Sequence, residues 1–245
     1  MALALALLIC LLRLGILRLR GPLTPVRRAL WLQSASRIVL ASLGIHYRVT
    51  GKPPQHGLVA SNHLSYLDIA IYSAVMPCAF ISKIEIGKWP YFGFAARAGG
   101  TIFIDRSSRA SAAVVVQEMA TRLQEPVPIL FFPEGTSTDG SRVLRFHSSL
   151  FESAAVHRFP VTAAAVRYII QDGTPERELC WFGDTGFLPH MWKALGTSGF
   201  RAEVTFSTPH IYEHRRSAAS ATQFEVCAMR AGEAFLAAGE GQLSL

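Results

Sequence analysis

No acidic residue occurs between Met1 and Leu67, a stretch that holds eight basic ones: Arg13, Arg18, Arg20, Arg27, Arg28, Arg37, Arg48 and Lys52. The other 16 basic residues are matched by 17 acidic ones, so the formal net charge of +7 belongs to the N-terminal quarter. Charge is scarce elsewhere too, at 17% of 245 residues against 50% hydrophobic. With a mean hydropathy of +0.28, this points to contact with something apolar. Cysteine is equally sparse: Cys10, Cys78, Cys180 and Cys227 lie far apart without C-x-x-C spacing, which argues against a disulfide framework or a zinc site and fits a reducing, cytoplasmic environment. Also missing are a G-x-S-x-G elbow, an H-E-x-x-H pair and a P-loop lysine, so hydrolase and nucleotide-hydrolysing readings lack their motifs. There is no internal repeat, low-complexity tract or long linker.

What the N-terminus does have is aliphatic. Met1 to Leu12 is an uncharged run of 12 residues, shorter than the roughly 20 that span a bilayer, and reads as an anchor more than a clean span. A signal peptide is disfavoured because positive charge follows the apolar run instead of preceding it and no small-residue cleavage site follows; a helix packed on the protein's own core is the alternative. Gly21, Pro22 and Pro25 break this helix, and a second, Val26 to Leu43, sets Trp31, Leu32, Ile38, Val39 and Leu40 against Arg27, Arg28 and Arg37. Two such helices suit a bilayer interface, with guanidinium groups at the headgroups. The basic residues alternate with aliphatic runs, not with exposed aromatics and glycine, which favours an anionic phospholipid membrane over nucleic acid. Arginine near the membrane places this side on the cytoplasmic face of the inner membrane.

From Tyr47 onward strand and helix patterns alternate. Strands are expected near residues 47–49, 58–60, 79–82, 101–104, 127–132, 161–169, 179–182 and 203–206, and helices near 66–75, 91–98, 109–124 and 150–156. The helix after Ser108 sets Ala112, Val115, Val116, Met119 and Leu123 on one face. A last helix is expected from Ser220, capped by an S-x-x-Q box with Gln223 and carrying Phe224, Cys227, Ala231, Ala234, Phe235 and Ala238 inward. The fold class is therefore α/β: a single domain at 46–245 with a mixed, largely parallel sheet flanked by helices, preceded by membrane-anchoring helices at 1–45.

The densest chemistry lies in Ser61-Asn62-His63-Leu64-Ser65-Tyr66-Leu67-Asp68, between a strand-like and a helix-like run. On a straight helix His63 and Asp68 would point about 140° apart. Ser65 to Asp68 is an S-x-x-D capping box, however, which leaves His63 in the turn before the helix, with Asp68 facing back over the first turn. A carboxylate holding one imidazole nitrogen fixes the tautomer and leaves the other as a general base. The plain alternative is a capping carboxylate beside a turn histidine. A second cluster, Phe103-Ile104-Asp105-Arg106, ends a strand in a cation suited to phosphate or carboxylate, or else forms a solvated loop. A third, Phe132-Pro133-Glu134-Gly135-Thr136, runs a strand into a polar turn, where the N–H groups of Gly135 and Thr136 would hold an anion or a developing oxyanion. Glu134 would bind acceptor hydroxyls or a basic group, pair with Arg106, or simply shape the turn.

In this order the chain resembles the glycerolipid acyltransferase family, the type of bacterial 1-acylglycerol-3-phosphate acyltransferase. The resemblance covers roughly Gly51 to Tyr168, with Asn62-His63-x4-Asp68 as first block, Lys83 to Glu85 between blocks, Phe103 to Arg106 as second, Phe132 to Thr136 as third and Pro160-Val161 with the following strand as fourth. It implies O-acyl transfer from acyl-CoA or acyl carrier protein, as co-substrate and with no further cofactor or metal, to a lysolipid hydroxyl. The acceptor first implied is 1-acylglycerol-3-phosphate, giving phosphatidate; another lysolipid such as lyso-ornithine lipid, or a catalytically silent lipid-binding protein on the same fold, is the alternative. It further implies His63 as base, Asp68 as its orienting partner and Arg106, Glu134, Gly135 and Thr136 as substrate-binding residues, with no covalent acyl-enzyme. One departure is Ser137, where phosphatidate-forming members usually carry arginine; Arg142 or Arg145 lies nearby in sequence.

Overall fold

The computed structural model describes residues 2–89, 92–104, 109–197 and 199–232, the side chains of 109–115 excepted. Seven strands form one sheet in the order β1 (His46–Thr50), β7 (Phe200–Phe206), β6 (Val161–Ile170), β2 (Leu58–Ser61), β5 (Ile129–Phe131), β3 (Ala79–Lys83) and β4 (Ile102–Ile104). Neighbours are parallel except β6 and β7, which run antiparallel from Ala164 opposite Phe206 to Ile170 opposite Phe200. The expected mixed, largely parallel sheet is what the chain builds.

Alternation along the strands divides the core in two. Val59, Leu130, Ala164 and Val166 pack on one face with α2 (Pro25–Ser42) and α3 (Leu67–Val75), through Trp31, Leu32, Leu40, Ile71 and Tyr72. Leu58, Ala60, Phe131, Ala163 and Ala165 pack on the other with α5 (Arg109–Leu123), α6 (Glu152–His157) and α8 (Arg215–Ala231), through Met119, Leu123, Ala154, Ala218 and Val226.

The N-terminal helix α1 (Ala2–Leu19) buries only a stripe, Ala6, Cys10 and Leu14, against α2, and the Trp31 indole donates to Cys10 O at 3.1 Å. By length and composition α1 is apolar enough to cross a membrane, with a mean hydropathy of 2.3 over its 18 residues. The guanidinium groups expected at lipid headgroups are engaged elsewhere. Arg27 donates to Leu17 O, Arg28 to Arg97 O and Arg37 to Ala74 O, each satisfying carbonyls at the C-terminal end of a neighbouring helix, where a cation is favoured by the helix dipole.

Two local expectations are corrected. The run 179–182 is no strand: a 3₁₀ turn, Glu176–Leu179, leads into irregular chain, and Trp181 N–H donates to Leu64 O at 2.8 Å, docking the run beneath the first-block turn. The last helix starts at Arg215, ahead of Ser220, and buries Ala218, Ala219, Thr222, Val226 and Met229. Phe224 and Cys227 face solvent, and Gln223 accepts the Phe146 N–H instead of capping the helix. Ala234, Phe235 and Ala238 lie outside the described residues, as do the side chains of Ala112 and Val115. The helix expected near 91–98 is α4 (Phe92–Gly99), which precedes β4, whereas α7 (Phe187–Leu195), which the sequence pattern does not indicate, lies between β6 and β7.

Candidate active site

Because β2, β5 and β4 run parallel through β3, their carboxyl ends open on one edge, the edge at which α/β sheets bind ligands. Asn62 fixes how β2 leaves the sheet. Its amide donates to Val166 O at 3.0 Å and accepts from Val166 N at 2.9 Å, continuing the β2–β6 ladder one residue beyond the backbone pairing of Ser61 with Ala164. The chain then turns, and α3 begins at Leu67 with no side-chain bond at its formal cap, Tyr66. Half of the expected capping box forms: Asp68 accepts the Ser65 N–H, whereas the Ser65 hydroxyl accepts the Leu67 N–H at 3.4 Å.

His63 therefore lies in the turn, with Nδ1 2.7 Å from Asp68 Oδ2. Asp68 is fully buried. Its Oδ2 also accepts Leu64 N–H at 2.7 Å and Ser65 N–H at 3.1 Å, and its Oδ1 accepts the Tyr168 hydroxyl. A buried carboxylate with four donors is held in one orientation. As an acceptor at Nδ1, it selects the imidazole tautomer that leaves Nε2 unprotonated. Nε2 has no hydrogen-bond partner among the described residues, and the ring keeps 19% of its surface exposed. Its face rests flat on Phe132, centroids 4.0 Å apart and planes 11° apart.

The third block braces this turn. Glu134 Oε1 accepts the His63 N–H at 2.8 Å and Oε2 the Leu144 N–H at 2.7 Å, so both oxygens of the expected substrate ligand are occupied by backbone. Burial pushes its carboxyl up, against the pull of those two N–H groups and of His63. The expectation that the Gly135 N–H faces an anion is corrected, since it donates to Phe132 O at 3.1 Å and closes a turn at a Gly135 φ of +76°. Thr136 is exposed beside it. Thr138 N–H donates to His63 O at 2.9 Å, and the Ser137 hydroxyl donates to Trp181 O. Asp105 and Arg106 lie outside the described residues; β4 ends at Ile104 on the same sheet edge as His63. Arg142 and Arg145 are exposed in the loop that follows the third block.

Sequence reading missed the layer behind Asp68. Arg230 of α8 donates to both oxygens of Glu176, at 2.9 and 2.7 Å, and to Val166 O and Gly140 O, while Glu176 Oε1 accepts Tyr168 N–H at 2.7 Å. The Glu176 pairing raises the Arg230 guanidinium against the opposing effect of burial. Burial together with the Asp68 charge holds the Tyr168 phenol far above its usual range, so it remains a donor. Among the described residues, no group of three or more His, Cys, Asp or Glu gathers as a metal set.

The chain's similarities agree with this geometry. The Acyltransferase family profile matches residues 46–167. Lyso-ornithine lipid O-acyltransferase of Rhodobacter capsulatus is 38% identical over 179 residues, 71% of this chain and 64% of that protein, so the chain matches somewhat less than two thirds of that relative. 1-acyl-sn-glycerol-3-phosphate acyltransferase of Neisseria meningitidis is 35% identical over 173 residues, 69% of this chain and 68% of that protein. The crystal structure of the 1-acyl-sn-glycerophosphate acyltransferase PlsC from Thermotoga maritima shares the fold, with a TM-score of 0.63 at 18% identity over 87% of this chain and 81% of that one. The histidine and aspartate of the first block, the profile across the sheet and the identity to both kinds of relative place this chain in the acyltransferase family.

Proposed function

We propose that the protein transfers an acyl chain from an acyl-thioester, acyl-CoA or acyl carrier protein, to the free hydroxyl of a lysolipid at a membrane surface. The observation that carries this reading is His63 held by Asp68 at Nδ1, with, among the described residues, Nε2 left open and no protein nucleophile beside it. Ser61 is committed to Tyr72 OH at 2.6 Å and Ser65 is fully buried. Burial pushes the Cys78 and Cys180 thiols up, away from the reactive thiolate. In the proposed step Nε2 takes the proton of the acceptor hydroxyl as its oxygen attacks the thioester carbonyl. The thiolate leaves and takes the proton back, with no acyl-enzyme formed. Glu134 positions His63 through its backbone N–H, and Arg106 and Thr136 contact the acceptor or the thioester.

For the acceptor, 1-acylglycerol-3-phosphate is the first reading. Ser137 favours a second: a hydroxyl donating to Trp181 O supplies no cation for a phosphate, and relatives named for lyso-ornithine lipid match at 38% and 35% identity. The apolar helix α1 supports membrane association, proposed for the cytoplasmic face with anionic phospholipid as the surface.

The test is transfer from a radiolabelled acyl-thioester by the detergent-solubilised protein, with lysophosphatidate and lyso-ornithine lipid offered in parallel. Labelled phosphatidate supports the first acceptor, and product from lyso-ornithine lipid alone supports the second. No labelled product from either contradicts the reading. Arg106→Ala is expected to raise KM for the acceptor more than KM for the donor; the reverse places Arg106 at the thioester.

A further inference from the structure

Helix α7 presents an apolar face that no described residue covers. Leu188 and Trp192 are 60% and 69% exposed, and Leu195 is exposed on the same side, since positions four and three residues apart fall within about 60° around a helix. On the opposite side His190 is buried and its Nδ1 lies 3.2 Å from the Tyr66 hydroxyl. The helix is thus fixed to the first-block segment by one face and offers the other outward. Lys193 lies about 60° around the helix from His190, on the side away from Leu188, and pairs with Glu178.

Side-chain contacts link α7 through α4 to α1. Phe187, at the start of α7, packs edge to face on Phe92 of α4 and on Trp89, with centroids 5.2 and 5.1 Å apart. Phe92 and Phe94 are themselves exposed, and Arg18, in the last turn of α1, sits over the Phe94 ring at 6.0 Å. These contacts form a path from α1, whose Leu5, Leu8, Leu12 and Leu19 are exposed, through the rings of α4 to Phe187, the neighbour of Leu188. Tyr66, three residues from His63, packs on both Phe92 and Phe187, so the path passes the site.

We infer that α7 is a second bilayer-docking element, whose Leu188, Trp192 and Leu195 enter the lipid interface beside α1 and set the His63 turn at the membrane surface. This rests on the membrane association proposed above. A helix that is packed on one side and carries leucine and tryptophan on the other has the pattern of an interfacial segment. The link to α1 selects a lipid surface over a protein partner.

The test uses the full chain reconstituted with phosphatidylcholine–phosphatidylglycerol vesicles whose acyl chains carry bromine, which quenches tryptophan in contact with lipid. Wild type is compared with Trp192→Phe. The expected result is a bromine-quenched component of the emission that the substitution removes. Leu188→Gln with Trp192→Gln is expected to lower transfer to vesicle-borne lysolipid roughly tenfold and to leave transfer to a short-chain, monomeric lysolipid unchanged. If protein that floats with the vesicles shows the same quenching with and without Trp192, the inference for α7 falls while membrane association stands. Failure to float overturns both. A detergent-solubilised dimer that Leu188→Gln dissociates, with Trp192 unquenched, assigns the face to a second copy and overturns the inference.

Discussion

The Tyr168 hydroxyl donates to Oδ1 of Asp68, on the opposite side of the carboxylate from His63, which is bound at Oδ2. Tyr168 belongs to β6 and Asp68 to α3, so a bond across 100 residues of sequence decides how the base is aimed. Tyr168→Phe keeps the ring packed on Phe200 and removes only this donor. It leaves a buried oxygen unsatisfied, a change of about 1–3 kcal/mol. The expected outcome is a lower kcat with KM for both substrates unchanged, measured by steady-state kinetics; loss of thermal stability with kcat intact would limit Tyr168 to a structural role.

Glu134 links pH to stability. Burial holds its folded-state pKa above the unfolded value, so the native state binds this proton more tightly than the unfolded chain. The stability contributed by that difference is fully present below the ordinary glutamate value of about 4.3 and is lost as pH rises through the raised one. Glu134→Gln removes the titration, and the thermal midpoint of the variant is expected to depend less on pH across this window. The variant also sets an amide N–H₂ against one backbone N–H, so its stability at low pH falls below wild type. An unchanged pH slope would contradict the assignment.

Removing Arg230 leaves Glu176 with the Tyr168 N–H as its hydrogen-bond partner among the described residues. Both side chains keep some solvent contact, 12% and 21%, so Arg230→Met is expected to destabilise by about 2 kcal/mol, less than a fully buried pair, as a lower midpoint in thermal or urea unfolding. Gly140→Ala strains the same network: φ is +80°, and a Cβ there would stand 2.7 Å from Glu176 Oε2. It is expected to destabilise too.

Much of the site is legible because it is local. The S-x-x-D box, a strand before it and an apolar stripe after it place His63 in a turn whatever the strand order. The Glu134 bond to His63 N–H, the Tyr168 bond to Asp68 and the Arg230 pair with Glu176 are not local. They depend on β2 lying between β5 and β6, an order that no periodicity specifies. The sequence pattern sets the last helix out of phase because Phe224 is large and apolar, whereas the packed face consists mostly of small residues, Ala218, Ala219 and Thr222, with Val226 and Met229. Helix α7 escaped reading because Gly186 and Pro189 resemble a loop; Gly186 is its cap and Pro189 falls within its first turn, where proline is tolerated.

The most direct test of the account is the single-turnover rate of acyl transfer by His63→Ala beside wild type, on vesicles carrying the acceptor and with thiol release followed in the presence and absence of lysolipid. The account predicts a rate lower by about 10²–10⁴, unchanged vesicle binding, and no burst of thiol release without acceptor. Transfer at the wild-type rate by His63→Ala, or a stoichiometric burst without acceptor, would contradict direct attack by a lysolipid hydroxyl deprotonated at His63.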